Sequence, residues 1–247
     1  MRKTLIVGFL LTSVAATGML ADEGRVPIFQ PTIVTQSGHY ILTRDIAGGA
    51  GPVIAIQAND VTLDLNGRTI SGGPIDALIM IADGFRGVTI RNGRLSGGSF
   101  GIYYASSTVG TRLRVENVEM TNSTHPIYVF GAELAYVLSC RVAGGDSDAI
   151  AVSGIADASY TGQFLNNVIE EVGGSAMSLG GLRAGLVRGN LVTHFGKVAS
   201  LVYGILIGSG VASDQGGNIV EHNTVRGSDD DLGIAILAGP DNLVADN

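Results

Sequence analysis

The residues in this chain with the clearest chemical capacity are one histidine, a few acids and a pair of tyrosines. His125, Asp148 and Ser175 each stand two positions ahead of an apolar-x-apolar triplet, at Ile127, Ile150 and Met177. If those triplets stack, the three side chains occupy successive rungs ~4.8 Å apart. A nucleophilic relay needs histidine between serine and aspartate, touching both. Here the aspartate is central, so that relay is not expected. His125 and Asp148, with Asp146 beside them, suit two other tasks: an acid and base pair, or, with calcium, the grip on a uronate. A plainer reading also accounts for the two acids. They lie in Gly144-Gly145-Asp146-Ser147-Asp148, where a solvated turn lets aspartates bond their own backbone.

Asp229, Asp230 and Asp231 precede the last triplet in the same structural place. Three adjacent acids can gather calcium, the one cofactor for which the residues make a case, although charge runs in turns are more often only wet. Tyr103 and Tyr128 are the middle residues of neighbouring triplets. Side by side they would offer flat apolar faces with polar tips, a platform for sugar rings; a cross-rung pair or a loop-covered surface is the alternative. Arg68, Arg91, Arg94, Arg112 and Arg114 fall on bends or outward positions. They either meet an acidic polymer or pair with Asp64, Glu116 and Glu119.

What must position these groups is a repeat. The triplets begin at Ile54, Ile79, Ile102, Ile127, Ile150, Met177, Ile205 and Ile234, at offsets of 25, 23, 25, 23, 27, 28 and 29 residues. A second ladder keeps step with them: Asn66, Asn92, Asn117, Cys140, Asn167, Asn190, Asn223 and Asn247. Between the two markers run alternating stretches such as Val61-Thr62-Leu63-Asp64-Leu65 and Leu113-Arg114-Val115, with the period of two that marks strands. No unit holds a stretch of helical spacing long enough for a helix, so parallel strands must be joined through turns and further strands. A coil of about 23 residues, with three short strands and bends rich in Gly and Asn, meets all these constraints when stacked on the next. The expected fold is all-β, a right-handed parallel β-helix of about eight coils, its hand set by the strong preference of parallel crossovers. Stacked asparagines would bond up and down one bend while their backbone turns left-handed. Cys140 fills that slot once, as a small buried hydrophobe in preference to a reactive thiol.

Composition narrows the functions. The chain of 247 residues carries 15 basic and 22 acidic side chains, a net charge of -7, and only two lysines, Lys3 and Lys197. With no basic stripe to neutralise phosphates, nucleic-acid binding is excluded. Arg2 and Lys3 precede an apolar run from Leu5 to Ala16 and then small residues, the order of a secretory signal, with cleavage expected after Ala16 or Ala21. The mature chain would be secreted or periplasmic and, lacking any later unbroken apolar run of ~18 residues, without a membrane span.

Tyr40-Ile-Leu-Thr-Arg-Asp, Asn59-Asp-Val-Thr-Leu-Asp-Leu-Asn-Gly-Arg-Thr-Ile-Ser-Gly and Val88-Thr-Ile-Arg-Asn-Gly-Arg-Leu-Ser-Gly resemble the opening coils of right-handed parallel β-helix repeat proteins. These are exported bacterial members of the pectin-lyase-like superfamily. Asn218-Ile-Val-Glu-His-Asn and Asn242-Leu-Val-Ala-Asp-Asn are similar to the repeat consensus of the same group. The resemblance implies the fold. It transfers no catalytic signature, because the motif sets of the hydrolases and epimerases of that superfamily are absent, and Asp229-Asp230-Asp231 echoes only one member of the hydrolase set.

The expected organisation is a signal peptide over 1–21, an N-terminal cap over 22–50 and β-helix repeats over 51–247 without a closing cap, for which a truncated sequence is the first expectation and an oligomer through the last coil the second. The expected function is binding or modification of an extracellular polysaccharide, with a uronate-containing one in view. If the protein is an enzyme, it would be a polysaccharide lyase, glycoside hydrolase or epimerase. The alternative is a non-catalytic surface or envelope scaffold.

Overall fold

The computed structural model describes residues 24–74, 77–108, 110–155, 158–197, 202–208, 215–227, 232–237 and 239–247. The signal-peptide expectation over 1–21 and the acidic run Asp229, Asp230 and Asp231 lie outside the described residues.

Alternation of apolar and polar residues leaves each short strand one face to bury, and a single coil cannot bury it alone. Stacking solves this: every pairing among the described strands is parallel, and all strands join one continuous wound sheet. The triplets align as their spacing predicts. Ile54 stands opposite Ile79, Ile79 opposite Ile102, Ile102 opposite Ile127 and Ile127 opposite Ile150. The column continues through Met177 and Ile205 to Ile234. The side chains from Ile54 to Ile205 in this column are fully buried. Each such rung contributes roughly 1.5–3 kcal/mol of transfer free energy, so the column is a main source of cohesion along the axis. Two further columns of strands complete each coil, exemplified by Val61–Asp64 and Thr69–Gly72. The architecture is therefore a parallel β-helix of about eight coils, with no α-helix among the described residues. The described part of the expected cap, 24–50, contributes strands of its own. Thr32–Val34 pairs with Ile54–Ile56 and Gly38–Leu42 pairs with Val61–Asp64, so this part of the chain continues the columns.

The asparagine bend differs from the single ladder that the spacing suggests. Asn66, Asn92 and Asn117 are left-handed, with φ of 52°, 60° and 53°. From the next coil on, the left-handed residue is the one before: Ser139, Asn166, Gly189, His222 and Asp246. The pairings Glu116 with Leu138 and Glu119 with Arg141 place Asn117 opposite Ser139 and Val118 opposite Cys140. The ladder is thus two ladders. The outward one carries exposed or half-buried asparagines that relieve a positive φ, and the inward one carries Cys140, Asn167, Asn190 and Asn223, all nearly fully buried. In the inward ladder each amide serves three neighbours. Asn190 Oδ1 accepts from the backbone N–H and Nδ2 of Asn167 at 2.9 and 3.0 Å, while Asn190 Nδ2 donates to Phe164 O and to Asn223 Oδ1, both at 2.8 Å. Burial makes that full satisfaction necessary, since an unpaired buried amide group costs about 1–3 kcal/mol.

Candidate functional site

The strands Phe100–Ala105 and His125–Leu138 lie side by side in the triplet column. Phe100 is opposite His125, and Tyr103 is opposite Tyr128. Strand alternation turns Ile102, Tyr104, Ile127 and Val129 into the core and leaves Tyr103 and Tyr128 half-buried on the outer face. Their rings stack with centroids 5.8 Å apart and planes 10° from parallel. Phe100 joins them, 4.6 Å from the Tyr103 ring and 5.6 Å from that of Tyr128. His125 closes the group, stacked on Phe100 at 5.0 Å and edge-on to Tyr128 at 5.7 Å. The cluster has definite limits: on the preceding rung Ala77 and Met80 face Phe100 and Tyr103, and on the following rung Ala151 faces Tyr128. Four rings on two rungs form a compact, partly exposed aromatic surface.

Sequence reasoning found the tyrosines but placed His125 with the acids and missed Phe100. The missing signal was available: Phe100 and His125 occupy equal positions, two ahead of Ile102 and Ile127.

His125 and Asp148 do occupy neighbouring rungs, yet no ion pair within 4.0 Å joins them. Asp148 Oδ1 instead accepts the backbone N–H of Ser175 at 2.8 Å, and Ser175 Oγ accepts the N–H of Tyr203 at 3.2 Å. This row of side-chain oxygens ties one coil to the next. Burial pushes the Asp148 carboxyl above the usual carboxylate range, and the Ser175 N–H and His125 draw it part of the way back. Asp146 is exposed beside it. His125 Nδ1 is buried without a hydrogen-bond partner, a cost of about 1–3 kcal/mol that packing between two rings must offset. Among the described residues no three His, Cys, Asp or Glu side chains come together as a metal-holding group.

The arginines mostly meet acids. Arg91 pairs with Asp64 at 3.0 Å and Arg114 with Glu116 at 2.6 Å. Arg112 takes a partner that spacing does not foretell. A register shift after Thr111 makes Glu133 an extra residue in its strand, a β-bulge that re-aims a side chain. Glu133 then accepts from Arg112 at 2.6 Å and lies 3.7 Å from Arg86. That contact with Arg112 holds the Glu133 carboxyl below its ordinary range. A cleft of about 220 Å³ beside it is lined by Asn59, Asp60, Arg86, Gly87 and Arg112, and Glu133 outside that lining engages both of its arginines. A larger groove of about 340 Å³ lies at the outward asparagine bend.

A family model described as a right handed beta helix region matches residues 54–225. Neither a curated protein nor a solved structure matches the chain.

Proposed function

The chain belongs to the right-handed β-helix family, and from that premise we propose that it is an exported protein that binds an extracellular polysaccharide along its triplet face. The observation that carries this reading is the cluster of Phe100, Tyr103, His125 and Tyr128, four rings on two adjacent rungs joined by five contacts of 4.6 to 5.8 Å. A sugar ring presents C–H groups on its faces and hydroxyls at its rim, which matches apolar ring faces bordered by the phenol oxygens of two tyrosines. Binding is favoured over bond cleavage because Asp148 accepts the Ser175 N–H through Oδ1 and makes no ion pair with His125. The net charge of -7 opposes an acidic polymer at long range. Neutral chains therefore stand first, and a uronate-containing chain, with His125 meeting its carboxylate, stands second.

The test is retardation of the native protein in gels containing soluble neutral or uronate polysaccharides, with and without calcium. Aromatic contacts of this kind contribute about 0.5–1.5 kcal/mol each, roughly 2- to 12-fold in affinity, so Tyr103→Ala and Tyr128→Ala should each weaken retardation by that factor. No retardation by any polymer of the panel sinks the reading and leaves the non-catalytic scaffold. Export rests on Arg2, Lys3 and the apolar run to Ala16, and mass spectrometry of the secreted chain should find its new N-terminus after Ala16 or Ala21.

A further inference from the structure

We infer that the groove at the outward asparagine bend is a second, separate site for a hydroxyl-bearing ligand, taking the vicinal hydroxyls of a neutral sugar. It lies on a different corner of the coil from the aromatic cluster and does not depend on that reading. The groove is lined by Gly67, Asn92, Gly93, Arg94, Asn117 and Glu119. Its origin is an unmade ion pair. Arg94 and Glu119 stand directly opposite each other in register, and opposite charges in that relation ordinarily attract across the rung. Here they diverge: Arg94 Nη2 reaches back to Gly67 O at 3.3 Å, while Glu119 turns to the following coil and accepts from Arg141 at 3.2 Å. The space between them opens with a planar donor on one wall and a planar acceptor on the other.

The asparagines complete the set. Asn117 Nδ2 donates to Asn92 Oδ1 at 3.1 Å, and Asn92 Nδ2 reaches the Asp64 carboxylate at 3.3 Å. The outward ladder then stops, because the next coil has Ser139 in this place, and no amide of a following rung donates to Asn117 Oδ1. Arg94 and Arg141, the latter paired with both Glu119 and Glu170, balance those two acids and leave no net field to select an ion. What Arg94, Asn117 and Glu119 share is donors and acceptors close together on a surface whose rungs repeat every ~4.8 Å. A ligand whose adjacent hydroxyls each donate and accept satisfies both walls at once, whereas a phosphate or carboxylate would gain Arg94 and meet Glu119 unfavourably.

The test is a titration of isotope-labelled protein with neutral hexasaccharides (cello-, malto-, manno- and laminari-series), following backbone amide shifts. Shifts at Gly67, Gly93 and Asn117 are expected, lost in Arg94→Ala and in Glu119→Gln but retained in Tyr128→Ala. Two variants on opposite walls guard against a local folding defect in either, and unchanged spectra elsewhere check that each coil is intact. Shifts confined to the strands Phe100–Ala105 and His125–Leu138 overturn this inference and leave the platform reading standing. Shifts at the groove alone support it and deny the platform a neutral sugar, leaving it only the uronate chain. Groove shifts produced by inorganic phosphate but by none of the sugars also overturn it.

Discussion

Replacing Asn190 with alanine removes a side chain at the centre of the inward ladder, and the structure sets the cost. Four hydrogen bonds disappear: two into Oδ1 from Asn167 and two from Nδ2, to Phe164 O and Asn223 Oδ1. Asn167 Nδ2 keeps its bond to Val137 O at 2.9 Å, but the Asn167 backbone N–H loses the acceptor it has. At a net ~1 kcal/mol per bond, with one buried donor orphaned in addition at about 1–3 kcal/mol, the loss should be about 5–7 kcal/mol. The control is Asn117→Gly on the outward ladder. It loses one side-chain bond, worth about 1 kcal/mol, but glycine relaxes the positive φ of 53°, returning a similar amount. Its net change should be near zero. Urea unfolding followed by circular dichroism measures both. Because solenoid stability is close to a sum over neighbouring coils, the Asn190→Ala protein should also show a lower slope or a split transition as the coils on either side uncouple. A loss below about 1 kcal/mol, or equal losses in the two variants, would refute the claim that the inward amides hold the coils together.

Three further outcomes follow from particular contacts. Asp148 has a folded pKa raised mainly by burial, so its ionisation opposes folding: its contribution is most favourable below the unfolded carboxylate pKa and falls as pH rises through the folded one. Asp148→Asn, which keeps an acceptor for the Ser175 N–H, should raise the midpoint of thermal unfolding at neutral pH, and the gain should shrink to nothing in acid; a gain that grows on acidification contradicts the assignment. The Cys140 thiol is buried and pushed up to about 11, so an aromatic disulfide reagent should label it only after unfolding; rapid labelling of native protein would place it at the surface. A Cβ on Gly101 would sit 2.4 Å from Pro126 O. Gly101→Ala should therefore cost about 1–3 kcal/mol of overpacking and, by prising the two rungs apart, quench the ring-current shifts of Phe100 and His125, whereas an unchanged aromatic spectrum would deny that these strands are in close contact.

Much of the solenoid was legible because its rule is local and repeated. A period of two decides which residues point inward, and a stacking interval of about 23 residues decides which of them meet, so Ile79, Ile102, Ile127 and Ile150 could be aligned by counting. The same arithmetic put Tyr103 beside Tyr128 and gave the arginines Asp64, Glu116 and Glu119 as possible partners, but left alternatives open in both cases. Counting failed wherever a bend or bulge adds a residue. Such a bulge brings Glu133 to Arg112, and at the unbroken bend counting also took Cys140 for the partner of Asn117, although it lies one place inward, opposite Val118. What the chain by itself determined is therefore the coil, its length and its inward face, since these depend on patterns that every repeat restates. Tertiary structure alone decided the site: that His125 rests on Phe100, that Asp148 is taken by the Ser175 N–H, and that Arg94 and Glu119 turn away from each other. Those outcomes are competitions between partners at nearly equal distances on neighbouring rungs, and a shift of a single residue or side-chain rotation settles them.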